Sequence, residues 1–173
     1  MSITRLIYAS IARENLSISE LMQIRKQAKV YNAEHDITGL LCCGGGFFLQ
    51  LLEGPRPAVN ALYARIQRDS RHSHLEILSY TTSSKRECGD WGMMMISVDE
   101  PFALARRAVL AAYSKDMRFS PLTMSRRNVL AMLRDLAKAE REHSASLELR
   151  VTPSLAPKAN ATRKKGRGAK QAR

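Results

Sequence analysis

Apolar and polar positions along the first hundred residues follow two rhythms. From Thr4 to Ser10 they alternate, which predicts a strand with Leu6, Tyr8 and Ser10 on one face and Arg5, Ile7 and Ala9 on the other. After a loop through Asn15 the rhythm changes. Leu21, Ile24, Ala28 and Tyr31 recur at spacings of three and four, the pattern of a helix with one stripe turned to a core. Ser17 is placed to cap that helix, with Glu20 three residues on to complete a capping box, and the helix is expected to run to about His35. Asn32 sits at the edge of the stripe.

Thr38 to Cys43 predicts a short apolar strand. Gly44, Gly45 and Gly46 then turn the chain into a hairpin with a second strand, Phe47 to Gly54. That strand is apolar at nearly every position, as in a strand covered on both faces. Gln50 interrupts it. A buried amide without partners costs about 1–3 kcal/mol, so something must meet Gln50. Alternation puts Phe48, Gln50 and Leu52 on one face and Phe47, Leu49 and Leu51 on the other. Taken alone, a side-chain bond that fixes register is the simpler explanation of Gln50.

Pro55 and Pro57 stand where a second helix begins, expected to run to about Asp69 with Val59, Leu62, Tyr63 and Ile66 inward. Arg65 and Asp69 are one turn apart and spaced to pair. Arg68, Arg71 and His72 gather at its end, where cations complement the helix dipole. Leu75 to Thr81 predicts a fourth strand and Met93 to Val98 a fifth, with Trp91 just before it. Three methionines in a row, Met93 to Met95, leave the facing of that last strand open.

This order predicts an α+β fold: a ferredoxin-like, five-stranded mixed sheet with two helices on one face. Crossover rules place the first and third strands side by side and parallel, with Tyr8 and Gln50 facing each other beneath the helices. Ile24 and Ile66 overhang the same place, and the slot suits a planar aromatic ligand. Further on, Leu104, Ala105, Ala108, Val109, Ala112 and Tyr113 form one helical stripe, and Val129, Leu130, Leu133, Leu136 and Ala137 another. These two segments are expected to cover the sheet's open face. From about Ser144 periodicity ends, which predicts a disordered tail. The divisions are a sensor unit over 1–99, a helical extension over 100–143 that covers the sheet or contacts a partner, and the tail over 144–173.

Composition changes this picture in one respect. The net charge of +12 is uneven: eight Lys or Arg and no acid lie between Arg150 and Arg173, so the rest is only mildly basic. Cys42, Cys43 and Cys88 are an odd set without metal-binding spacing, which fits reduced thiols in the cytoplasm. No stretch approaches the roughly 20 apolar residues of a membrane span, and the first ten residues have no signal-peptide core.

Taken together, these landmarks resemble the BLUF family, blue-light sensors using flavin. The resemblance covers about Ile3 to Val98. It rests on Leu-Ile-Tyr-Ala-Ser around Tyr8, Asn32 followed by Ile37-Thr38-Gly39-Leu40-Leu41, Phe48 to Gly54 around Gln50, Arg65-Ile66, Arg71-His72, and Trp91-Gly92-Met93. It implies non-covalently bound flavin, FAD or else FMN. Tyr8 is then the redox-active tyrosine and Gln50 the switching amide. Asn32 bonds the flavin ring, and Ile24 and Ile66 sandwich it. Arg65 and Asp69 meet its polar edge, and Phe48, Arg71 and His72 complete the site. Trp91 and Met93 relay the state of Gln50. No metal and no catalytic residue is implied.

Two other readings compete. An acyl-phosphate hydrolase would use Asn32, Arg65 and Arg71 to hold an anion, but the sequence shows no nucleophile–base pair and no glycine-rich phosphate loop leading into a helix. A regulator that binds nucleic acid would use the tail from Arg163 to Lys170, which has no interleaved aromatics to read bases. The segment after the sensor is too short for a second enzyme domain. The expectation is a non-catalytic photoreceptor that forms a homo-oligomer and acts on a separate protein, such as a cyclic-dinucleotide enzyme or a response regulator.

Overall fold

The computed structural model describes residues 2–89, 92–99, 104–114 and 116–151, the last five as backbone only. Trp91 and the basic run from Arg163 to Lys170 lie outside them. The elements are β1 (Ile3–Ala12), α1 (Ile18–Glu34), β2 (Thr38–Gly44), β3 (Phe47–Gly54), α2 (Arg56–Ile66), β4 (His72–Ser83), β5 (Met94–Ser97), α3 (Leu104–Tyr113), a 3-10 turn (Pro121–Thr123) and α4 (Arg126–Val151). The expected capping box is formed: Ser17 accepts from the Glu20 backbone, and the Glu20 carboxylate returns to the Ser17 N–H.

The sheet runs β4-β1-β3-β2-β5. β1 and β3 are neighbours as expected, but antiparallel rather than parallel. The reason is topological. α1 carries the chain from β1 to a β2 of the same direction one strand-width further on, and the tight hairpin then turns β3 back into the gap. β5 alone pairs parallel, alongside β2. Val98 donates to the Cys43 carbonyl, and Asp99 accepts from the Gly45 N–H, so the end of β5 is pinned to the hairpin turn.

Both faces of the sheet are covered. Leu6, Tyr8, Leu41, Phe48 and Leu52 lie under α1 and α2, with Ile37, Val59, Leu62 and Met93. Ile7, Ala9, Leu40, Cys42, Leu49, Leu51 and Ile96 face the other way, onto Leu110, Phe119, Val129, Met132, Leu133, Leu136 and Ala137. The C-terminal helices therefore close the second face. In α3 the inward row differs from the expected one. Leu104 is 77% exposed and Ala105, Ala108 and Ala112 face solvent, while Leu110 is buried and Arg106, Val109 and Tyr113 are half-buried. Alanines gain little by burial, whereas the Arg106 guanidinium finds the Ser97 carbonyl at 2.9 Å and the Glu140 carboxylate at 2.6 Å. α4 also continues past Ser144, where the tail was expected to begin, as far as Val151. Ala, Leu and Glu are good helix formers whether or not a core receives them.

The end of α2 corrects a second expectation. The helix stops at Ile66, and Asp69 pairs with Arg71 rather than Arg65. Two residues apart in a turn, the Arg71 side chain and backbone N–H both reach the Asp69 carboxylate, and that clasp holds its carboxyl below the usual range. Arg65 lies instead over the Tyr31 ring, 5.2 Å from its centroid.

Glu53 closes the fold at the far end of β3. It is fully buried, and its carboxylate accepts from Arg5 Nε at 2.8 Å and from the backbone N–H groups of Glu87 and Cys88 at 2.7 and 3.1 Å. Glu87 binds Arg134 of α4 in turn. The segment between β4 and β5 is thus tied both to the sheet and to α4. Among the described residues no helix is long and apolar enough to cross a membrane, and no group of three or more His, Cys, Asp and Glu side chains suits a metal ion. All three cysteines are buried thiols.

Two outcomes follow for stability. Arg5→Ala leaves the Glu53 charge buried without its cation and is expected to lose about 3–5 kcal/mol in urea unfolding. The Asp69 carboxyl titrates lower in the folded chain than in the unfolded one. Its contribution is therefore complete above the ordinary carboxylate value of about 3.9 and fades as pH falls through the folded value. The melting-temperature gap between wild type and Asp69→Asn is expected to be constant near neutral pH and to shrink below about pH 4; a gap that widens with acid refutes the clasp.

Candidate functional site

α1 and α2 do not meet over the centre of the sheet. They leave a cleft of about 140 Å³, floored by Tyr8, Leu41, Phe48 and Gln50. α1 contributes Ile24, Gln27, Ala28, Tyr31 and Asn32, and α2 with the turn after it contributes Leu62, Arg65, Ile66, Asp69, Arg71 and His72. Met93 closes the β5 side.

The floor follows from strand register. β1 and β3 pair so that Tyr8 stands directly opposite Gln50, and the two side chains leave the sheet on the same face. The Tyr8 hydroxyl donates a hydrogen bond to Gln50 Oε1. On its other arm, Gln50 Nε2 faces Met93 Sδ at 3.8 Å, a weak acceptor. The amide therefore has one strong partner and one poor one. Tyr8 is 2% exposed, and burial pushes its phenol far above the ordinary value, with Tyr63 and Asp69 adding to the effect. It stands as a neutral O–H at physiological pH. Its ring is braced edge-on by Tyr63, 5.3 Å between centroids, and by His72 at 6.4 Å.

His72 is held at both ring nitrogens, by Ser10 Oγ at 2.8 Å and by the Ile66 carbonyl at 2.9 Å. It joins β1 to the end of α2 and so fixes the width of the cleft there. Asn32, on the last turn of α1, is fully buried and donates to the Gly92 carbonyl at 2.6 Å. Its Oδ1 is buried and has no partner among the described residues. An orphaned acceptor in the lining of an apolar cleft fits a planar ligand with a ring N–H. The residues present thus suit a flavin ring. Asn32 offers an acceptor, and Ile24 and Ile66 offer apolar walls from the two helices.

The structure brings the expected lining residues Tyr8, Ile24, Asn32, Phe48, Gln50, Arg65, Ile66, Asp69, Arg71, His72 and Met93 around one cleft. Trp91 falls outside the described residues. From sequence, Gln27 and Leu41 carry no sign of lining the cleft, Ala28 and Leu62 read as core alone, and Tyr31 reads as a core residue that also bears on ring packing through its place before Asn32. Their signal was positional. Gln27 and Tyr31 are one helical turn apart, and Leu41 is the ladder partner of Gln50 on β2.

The chain is similar in sequence to the blue light- and temperature-regulated antirepressor BluF of Escherichia coli (strain K12), 32% identical over 96 residues, which is 56% of this chain and 24% of that protein. The chain spans between 7% and 24% of the length of the curated relatives compared with it, the antirepressor at the upper end. Among solved structures it resembles BlsA in its photo-activated state, with a TM-score of 0.69 and 25% identity over 79% of this chain and 95% of that one. It also resembles Klebsiella pneumoniae BlrP1 with FMN and cyclic diGMP, with a TM-score of 0.54 and 31% identity over 57% of this chain and 26% of that one. The profile of the family described as sensors of blue-light using FAD matches residues 3–94. It runs across both strands that carry Tyr8 and Gln50 and both helices that wall the cleft, and on that match this chain belongs to the BLUF family.

Proposed function

We propose that this chain is a blue-light photoreceptor that holds FAD non-covalently in the cleft between α1 and α2 and reports illumination by switching the hydrogen bonds of Gln50. The observation that carries this reading is the buried pair of Tyr8 and Gln50, with Met93 on the far arm of the amide. The family description names FAD; FMN, present in the Klebsiella structure, is the other candidate.

When bound, the flavin supplies a strong one-electron oxidation on excitation by blue light. The rest belongs to the chain. Tyr8 is a neutral phenol with its proton already committed to Gln50 Oε1. Loss of an electron makes that phenol strongly acidic, and the proton has a bond to leave along. Gln50 then carries a different pattern of donors and acceptors, by rotation or by a change of tautomer. In a dry site each pattern must find partners, so the two arrangements are discrete. Asn32 and His72 hold the walls still while this happens. Arg65, Arg71 and Asp69 stand at the polar rim.

A partner cannot touch Gln50, which is 5% exposed. The output route we infer is Met93 and the strand after it. Met93 leads into β5, the Ser97 carbonyl at the end of β5 is held by Arg106 of α3, and Arg106 is held by Glu140 of α4. Trp91 lies on the same stretch of chain and would share the relay. The receiver is a separate signalling protein of the cytoplasm, and the sensor has no catalytic residue of its own. A cyclic-dinucleotide enzyme is the class that the Klebsiella relative suggests.

Purified protein is expected to be yellow. Blue light is expected to shift its flavin absorption slightly to the red, with reversal in darkness. Tyr8→Phe and Gln50→Ala should each keep the flavin and lose that shift; a normal shift in either variant refutes the assigned role. Met93→Ala is expected to keep the shift and to weaken the light-dependent change in partner binding. Truncating a buried methionine removes about 2–5 kcal/mol, so the comparison is made on protein shown by thermal melt to be folded and flavin-loaded. Wild-type switching of the partner in that variant excludes the Met93 route.

A further inference from the structure

α1 has two apolar rows. The inner one lines the cleft and the core. The outer one is Ile18, Met22, Lys26 and Val30, spaced four apart along a single ridge of the helix. Ile18 is 77% exposed, Met22 51% and Val30 56%. Lys26, also exposed, stands between Met22 and Val30 on this row, and its stem is aliphatic. Scattered apolar residues on a surface need no explanation; three on one helical ridge do. The ridge spans roughly 18 Å at 1.5 Å per residue, the length of a short helix laid beside it.

The rim of this ridge is basic. Arg25, Lys26 and Lys29 are exposed, and among the described residues none of them forms an ion pair. Arg65 is not part of this rim: it lies over Tyr31 on the cleft side of the helix. The one acid in the first turn, Glu20, is already taken by Ser17 and Arg13. Glu34 follows Val30 at the same spacing and is the one exposed acid at the ridge's C-terminal end. From Ile18 to Val30 the row is edged by unpaired cations, and such a row complements an apolar row edged with acids. A second copy of this chain would set cations against cations. The apolar row is one residue wide and flanked by Ser19, Gln23 and Gln27, narrower than the face a helix sinks into a lipid surface.

We propose that the outer ridge of α1 is a docking surface for an acidic amphipathic helix of the partner protein. This rests on the sensor reading for the partner's role, and it ties that partner to the site directly. The same helix turns Ile24, Ala28, Tyr31 and Asn32 into the cleft, and Asn32 holds the Gly92 carbonyl in the segment that leads to Met93. A change around Gln50 and Met93 therefore acts on α1 as well as on β5.

The test uses the full flavin-loaded chain in darkness, so that it does not depend on photochemistry. The probe is a labelled helical peptide of about 16 residues, long enough to span the ridge, with leucines along one face and glutamates flanking them. A twin peptide carries lysines in place of the glutamates. Fluorescence anisotropy is expected to show binding of the glutamate peptide alone. Ile18→Ser/Met22→Ser and Arg25→Glu/Lys26→Glu are each expected to weaken it at least tenfold, with flavin absorption and melting temperature unchanged, because all four side chains are exposed. Equal binding of the lysine peptide overturns the proposal, as does binding of neither peptide, or wild-type binding by the serine variant. Self-association in sedimentation velocity that the serine variant abolishes assigns the ridge to a second copy instead. Ridge-dependent binding to phosphatidylglycerol vesicles assigns it to a membrane, and either result also overturns the proposal. A colourless protein or a missing light-induced shift would strike the sensor reading and leave the dark peptide result standing.

Discussion

The antiparallel pairing of β1 with β3 sets Tyr8 opposite Gln50, and the rest of the site is arranged around that contact. Two polar side chains in a dry interior must satisfy one another or lose free energy for each unmet donor and acceptor. The phenol has one proton to give, and the amide oxygen takes it. The amide nitrogen is left with a thioether, a weak acceptor, so the network is held firmly at one end and loosely at the other. That asymmetry suits the proposed switch, because a network satisfied at every donor and acceptor has less reason to adopt a second arrangement.

The two faces of the sheet divide the labour. Above lies the cleft, held open because α1 and α2 are each pinned from below. Asn32 ties α1 to Gly92, and His72 ties the end of α2 to Ser10 on β1. Beneath, α3 and α4 pack on Leu49, Leu51 and Ile96, the neighbours of Gln50 and Met95 that point the other way. β5 therefore packs on both faces at once, Met95 on the cleft side and Met94 and Ile96 on the side of the C-terminal helices. Interiors at close-packed density transmit small shifts rather than absorb them.

Buried charge secures the joints between these layers. Glu53 takes three hydrogen bonds from β1 and from the segment before β5, and Glu87 passes the connection to Arg134 on α4. Arg106 performs the same service between β5 and Glu140. These pairs contribute less to net stability than to geometry, because desolvation offsets much of their attraction. Their worth lies in orienting elements that hydrophobic contact alone would let slide.

Much of this was legible in local pattern. Period-two alternation separated the two faces of β1 and β3, and the Ser17–Glu20 box and the glycine turn marked where α1 and the hairpin begin. The isolated Gln50 in an apolar strand announced a buried polar site, since an amide left without partners in a core costs free energy. Pattern could not set strand direction: two neighbouring strands look alike whether parallel or antiparallel, and only the path of the crossover decided that β1 and β3 oppose each other. Three consecutive methionines have no alternation to read. The parallel ladder with β2 put Met93 and Met95 toward the cleft and Met94 toward the C-terminal helices. The partner of Asp69 turned on the shape of one turn after α2, and the inward row of α3 on a carbonyl and a carboxylate distant in sequence. Composition and periodicity act along the chain and so determine which residues leave water. Which of those residues meet depends on long-range closure, and that is settled only when the layers come together.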